Sequence, residues 1–129
     1  MDEAKVVHLD THILIWLFEG SAGRLTKAAR RAIDASAIVA SPAAVFELEL
    51  LYEIGRRRSP AKALISALHS EIGLDVCALP FRSVVDHAIA EAWTRDPFDR
   101  LIVANAKAAR VSLITSDEKI LANYSRAIW

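Results

Sequence analysis

The chain has 129 residues, 53% of them hydrophobic and 25% charged, with 16 basic and 16 acidic side chains. That composition excludes a disordered chain and fits one domain with a buried core. A net charge of zero excludes a general electrostatic pull toward nucleic acid, and no apolar run approaches the roughly 20 residues of a membrane-spanning helix.

The opening "MDEAKVVHLD" carries acids and lacks the basic, apolar pattern of a secretion signal. "KVVHLD" reads as a short buried strand ending at Asp10. "THILIWLFEG" follows as a short helix stopped by Gly20. "LTKAARRAIDAS" is a second, amphipathic helix and "AIVAS" a strand. "PAAVFELELLYEIG" is a helix opened by Pro42 and closed by Gly55, and "PAKALISALHSEIG" another, bounded by Pro60 and Gly73. "DVCALP" is a short strand. Its Cys77, the single cysteine, has no internal disulfide partner; it reads as a small core residue, and the cytoplasm is the default location.

"FRSVVDHAIAEAW" is a helix, followed by a better-marked one in "DPFDRLIVANAKAAR". There Asp96 takes the N-cap, Pro97 the first helical position and Asp99 the third, where a carboxylate meets the positive end of the helix dipole. Phe98, Leu101, Ile102, Ala106 and Ala109 continue at helical spacing to about Arg110. "VSLIT" is a strand, "SDEKILANY" a short helix and "RAIW" a last strand. Apolar period and Pro/Gly punctuation carry these assignments.

Short apolar strands alternating with helices predict a single α/β domain over residues 1–129 with a mainly parallel sheet. Such sheets bind ligands beyond the carboxyl ends of their strands, near the switch in strand order. Two acids fall at such places: Asp10 after "KVVHL" and Asp117 after "VSLITS".

Each acid also has an ordinary reading. Asp10 caps the helix that starts at Thr11; Asp117 is an early-turn acid beside a Thr115–Glu118 capping box; Asp99 serves the helix dipole. Glu47 resists such a reading, because Ala43, Ala44, Leu50 and Leu51 put it on an apolar helix face where an unpaired carboxylate is costly. Glu49 is a weaker candidate, and Glu53 sits four residues before Arg57, the spacing of an exposed ion pair. If Asp10, Glu47, Asp99 and Asp117 met at one sheet edge, their charges would repel. A hard divalent cation would resolve the repulsion and serve phosphodiester hydrolysis.

The chain resembles the PIN-domain ribonucleases and, within them, the VapC-type toxins of bacterial toxin–antitoxin pairs. The resemblance lies in "LDTHILIWL" from Leu9, "SPAAVFELELLYEIGR" from Ser41, "RDPFDRLIVANA" from Arg95 and "LITSDEKI" from Leu113, and covers essentially the whole chain. It implies a three-layer α/β/α sandwich around a four- to five-stranded parallel sheet, and an acidic site that hydrolyses RNA with Mg²⁺ or Mn²⁺. Asp10, Glu47, Asp99 and Asp117 fall on the family's acidic positions, as catalytic and metal-ligating residues alike. Asp96 is then a cap or an outer contact. Thr11 and Ser116 lie beside site acids, and Arg100 follows one of them. Phe46 stands where tryptophan is more frequent. The resemblance also implies a homodimer and a VapB-type antitoxin partner.

The remaining chemistry is sparse. His8, His12, His69 and His87 lack ligand spacing with Cys77 for a structural zinc site. There is no G-x-G-x-x-G, Walker lysine loop or G-x-S-x-G elbow. Two basic clusters, Arg24/Lys27/Arg30/Arg31 and Arg56/Arg57/Arg58/Lys62, read first as solvated helix faces. Trp16, Phe18 and Trp93 read first as packing aromatics. Two alternative functions remain: an acidic-pocket phosphatase and a non-catalytic PIN-like module that binds RNA or protein.

Overall fold

In the first strand, β1 (Val6–Leu9), Val7, His8 and Leu9 are all buried, so both faces of the strand are covered. Burial on both faces is the mark of a central strand in a parallel sheet. The computed structural model describes residues 5–129, and β1 lies at its centre. Around it stand β2 (Ala37–Ala40), β3 (Asp75–Val76), β4 (Ser112–Ile114) and β5 (Ala127–Ile128), in the order β3-β2-β1-β4-β5. Every pairing is parallel, with Leu9 beside Ala40 on one side and Ile114 on the other.

Seven helices connect the strands: α1 (Thr11–Phe18), α2 (Lys27–Asp34), α3 (Pro42–Glu53), α4 (Ala61–Ile72), α5 (Phe81–Ile89), α6 (Pro97–Ala109) and α7 (Glu118–Asn123). The chain steps one way from β1 to β2 to β3, and the other way from β3 to β4 to β5. Right-handed crossovers place helices of the two series on opposite faces, which makes the α/β/α sandwich. Leu9, Ile13, Leu14, Leu48, Leu68, Ile102, Leu113 and Ile114 form its buried core.

The expected elements are present, with differences at their ends. The segment "DVCALP" pairs only at Asp75–Val76, on an edge of the sheet. A 3₁₀ turn at Ala22–Arg24, unmarked by apolar period, precedes α2. The expected Glu53–Arg57 pair does not form. Gly55 takes φ 78 and ends the helical geometry before Arg57, and Arg57 turns to Glu19 at 3.7 Å instead. Cys77 is half-buried and accepts a hydrogen bond from the Asn105 amide at 3.2 Å.

Trp16, Phe18 and Trp93 pack against the core. Trp16 meets the Trp129 ring at 5.9 Å, and Trp93 Nε1 donates to the buried Glu91 at 2.6 Å. In the first basic cluster, Arg24 lies over the Trp16 ring and Arg30 donates to the Ala22 carbonyl. The Arg100 guanidinium donates to the carbonyls of Ala88, Ile89 and Thr94. It thereby serves the open carbonyls at the end of α5 and ties that helix to α6. Among the described residues, no helix is long and apolar enough to cross a membrane.

Candidate active site

The strand order reverses between β1 and β4, the crevice where open parallel sheets take their ligands. Asp10 leaves β1 on one side of that crevice and Asp117 follows β4 on the other. Glu47 comes in on α3, which follows β2, and Asp99 on the first turn of α6. The four predicted acids thus arrive from four separate elements.

Each of these helix starts is set by local chemistry. Asp10, Asp96 and Asp117 are the N-caps of α1, α6 and α7. Asp96 Oδ1 accepts from the backbone N–H of Phe98 and Asp99, as its place before Pro97 predicts. Asp117 Oδ1 accepts from Lys119 and Ile120. This corrects the expected Thr115–Glu118 capping box. The helix begins at Glu118, so Asp117 is the cap, and the Thr115 hydroxyl accepts from the Asp117 N–H at 3.0 Å.

Two threonines hold the acids in place. Thr115 is fully buried, and its hydroxyl donates to Asp10 Oδ2 at 2.7 Å. Asp10 Oδ1 accepts from the Thr11 N–H at 2.8 Å. The Thr11 hydroxyl in turn donates to Glu47 Oε1 at 2.5 Å. Ser116, the residue the resemblance puts beside Asp117, makes no hydrogen bond with its side chain among the described residues; its neighbour Thr115 does the holding. Glu49 is removed from the site altogether, because its carboxylate accepts from the Ala61 N–H at the start of α4.

The acids feel one another. Burial, followed by the charges of Asp96, Asp10, Asp117 and Glu47, pushes the Asp99 carboxyl up to about 7. Burial is also the main cause that raises Glu47, with Asp10 and Asp96 adding to it and the Thr11 hydrogen bond opposing. Asp10 is raised by burial, against the hydrogen bonds from Thr115 and Thr11. Asp96 therefore adds to the field on Asp99 and Glu47 besides capping α6. His12 is exposed on α1, its ring 6.1 Å from that of Trp16, and its charge favours the ionised forms of Asp10 and Glu47.

This donor set is all carboxylate oxygen, which suits a hard divalent cation. Asp99 accepts no side-chain hydrogen bond from any described residue, and the second oxygens of Glu47 and Asp117 likewise carry none. In position and chemistry the residues fit such an ion. Their spacing is looser: among the described residues, no three acids, histidines or cysteines stand close enough to grip one ion as they lie. Asp10, Glu47 and Asp117 are each drawn to a donor of the protein instead. An ion would have to draw these side chains inward.

Thr115 is the participant that sequence reasoning missed. Its partner, Asp10, lies 105 positions away in the chain, so no local pattern marks the contact.

Fold and site together define a parallel α/β domain with a carboxylate cluster at its switch point. A model of the PIN domain family matches residues 7–126, and the chain belongs to that family. No curated protein matches it by sequence. Several solved structures share the fold. A VapBC complex from Rickettsia felis, bound to a DNA fragment from its promoter, superimposes with a TM-score of 0.63 at 14% identity, covering 95% of this chain and 96% of that one. A toxin–antitoxin complex from Klebsiella pneumoniae gives 0.65 at 20% identity with the same coverage. A VapBC complex from nontypeable Haemophilus influenzae gives 0.59 at 18% identity, covering 96% of each chain.

Proposed function

We propose that this protein is a VapC-type toxin, an endoribonuclease that hydrolyses RNA phosphodiester bonds with Mg²⁺ or Mn²⁺. The observation that carries the reading is Asp99. Its carboxyl is lifted to about 7 by burial, by Asp96 at the head of its own helix and by Asp10, Asp117 and Glu47 from three other elements, an arrangement that costs stability unless a cation uses it. Asp10, Glu47, Asp99 and Asp117 would hold the ion. When bound, it would supply an activated water and charge stabilisation at the phosphate. The protein's own part is positioning. Thr115 fixes Asp10, Thr11 fixes Glu47, and the caps of α1, α6 and α7 fix the backbone that presents the acids.

The partner reading draws on the structural relatives, which are toxin–antitoxin complexes. Beside the acids lies a cavity of about 380 Å³ lined by Phe46, Leu79, Phe81, Phe98 and Leu101. It offers an apolar seat for a segment of a VapB-type antitoxin. Phe81 and Ile89, 69% and 70% exposed, favour burial in a homodimer. A cytoplasmic location accords with a toxin acting on cellular RNA.

The looser spacing of the carboxylates favours one second reading, a PIN-like module that binds RNA without cutting it. A single assay separates the two: total bacterial RNA with wild type and Asp99→Asn, in Mg²⁺ or Mn²⁺ and in excess EDTA. Discrete cleavage by the wild type alone, abolished by EDTA, supports the nuclease. Equal cleavage by both proteins removes Asp99 from the site. Binding without cleavage at any metal concentration favours the module.

A further inference from the structure

In the second basic cluster Arg56, Arg58 and Lys62 are exposed, as a solvated face should be, and Arg57 is half-buried. After α3 the chain turns at Gly55, and Arg56, Arg57, Arg58 and Ser59 close over the far end of α1. They line a cavity of about 290 Å³ whose other wall is Ile15, Phe18 and Leu64. One carboxylate, Glu19, lines it too, 3.7 Å from Arg57. Three arginines and one glutamate line the cavity, so its charged residues carry two positive charges in excess. Arg57 is half-buried, and its Nε is shut off from solvent without a hydrogen-bond acceptor. A buried donor left without an acceptor is costly, and a turn of the Arg57 side chain toward an anion in the cavity would supply one.

The shape of the cavity narrows the anion. Arginine forks match phosphate oxygens in pairs. The partly exposed Phe18 ring, with Ile15 and Leu64 buried behind it, has no use for a bare inorganic ion but suits a flat ring, and the arginine planes also stack on bases. The geometry points to a nucleotide subsite: Arg56, Arg57 and Arg58 take a phosphate, and the partly exposed Phe18, backed by buried Ile15 and Leu64, takes the attached base. The inference rests on the ribonuclease reading for its source of nucleotide, a unit of the RNA strand beyond the bond being cut. Helix α1 supplies the link. Asp10 caps its first turn and Phe18 ends it, a separation of about 12 Å along the helix, within reach of one strand lying across both sites. The subsite gives a neutral protein a local hold on a polyanion that its acids repel.

The test uses the full chain carrying Asp99→Asn, so that the probe stays intact, and reads the anisotropy of a short labelled single-stranded RNA. Replacing Arg56, Arg57 and Arg58 together by Gln should weaken binding about tenfold or more and lower the salt slope by about two. The melting temperature and the far-ultraviolet circular dichroism spectrum are the controls. Glu19→Gln, an exposed change that spares the fold, should tighten RNA binding severalfold. RNA binding untouched by both changes overturns the subsite and leaves the ribonuclease reading standing. Binding of AMP, lost in the triple variant, without binding of RNA keeps the subsite as a free-nucleotide site and sinks the ribonuclease reading instead. If neither RNA nor AMP binds while a polyglutamate peptide does, the inference is overturned in favour of an acidic protein segment.

Discussion

The hydroxyl of Thr11, in the first turn of α1, donates to the carboxylate of Glu47, in the middle of α3, at 2.5 Å. That bond joins two helices that follow different strands, and it fixes the one site acid that lies on an apolar helix face. It also opposes burial, which otherwise raises Glu47. Thr11→Val keeps the shape of a fully buried side chain and removes the donor. Stability should fall by about 1–2 kcal/mol, the lower range for a hydrogen bond to a charged group that keeps some solvent. Urea unfolding measures the loss, and an NMR titration of Glu47 should show its carboxyl moving further up. An unchanged titration would mean that the bond does not hold the ionised form.

Asp99 makes stability depend on pH. Its folded value, about 7, lies above its ordinary 3.8, so between the two the folded state keeps a proton that the unfolded state has released. Its contribution is therefore best below the unfolded value and declines as pH rises toward 7. Removing the charge with Asp99→Asn should stabilise the metal-free protein at about pH 7.5 by on the order of 1 kcal/mol, after allowance for solvent screening, and by little near pH 4. The difference between the urea midpoints of wild type and variant isolates this effect. A difference that stays flat with pH would place Asp99 outside the acidic field.

Asp99 also shows what could be read from the chain. Its helix start was legible because the cap, the proline and the dipole acid all act within four residues of one another. Glu47 was legible because an acid amid Ala43, Ala44, Leu50 and Leu51 contradicts its own helix face. Thr115 was not, since its hydroxyl serves Asp10, 105 positions away, and no local pattern reports a contact made only by folding. Arg100 is a similar case: its carbonyl partners lie on another helix, so its position after a site acid implied no role. Gly55 punctuated the chain as expected, yet the redirection of Arg57 from Glu53 to Glu19 depended on where α1 would end. The alternation of strands and helices showed the sheet to be parallel; the length of β3 was settled by its place at the sheet edge.

His8 acts on stability in the opposite sense. It is buried in β1 with Nδ1 lacking any partner, and burial lowers its value to about 4 from 6.5. The folded state therefore refuses a proton that the unfolded state accepts, and stability from this residue is lost as pH falls from 6.5 toward 4. His8→Leu removes both the titration and the orphaned nitrogen, and in a site that tolerates the shape it should be neutral or stabilising near pH 5. Thermal melts of the two proteins from about pH 4 to pH 7 measure this. A variant that loses as much stability on acidification as the wild type would clear His8 of the effect.

Arg100 should separate folding from chemistry. Arg100→Ala leaves the terminal carbonyls of α5 without their donor and should cost about 1–2 kcal/mol. Arg100→Lys recovers only part of that, because an ammonium cannot reproduce the planar fork that spans Ala88 and Thr94. Neither change touches a carboxylate of the site, so a manganese isotherm measured well below the melting temperature should match the wild type. A weakened isotherm in folded protein would make Arg100 part of the site rather than a clamp between helices.

Asp117 plays two roles, and two substitutions divide them. Its Oδ1 caps α7 through the N–H groups of Lys119 and Ile120, and its charge acts on Asp99 and Asp10. Asparagine caps a helix about as well as aspartate, whereas alanine does not. Asp117→Ala should therefore cost about 1 kcal/mol more than Asp117→Asn in the metal-free protein. Both variants lose the charge, so both should lower Asp99 toward its ordinary value, seen by NMR, and both should weaken the rise in melting temperature that Mg²⁺ or Mn²⁺ gives the wild type. If Asp117→Asn keeps that full rise, Asp117 serves the helix alone, and the ion rests on Asp10, Glu47 and Asp99.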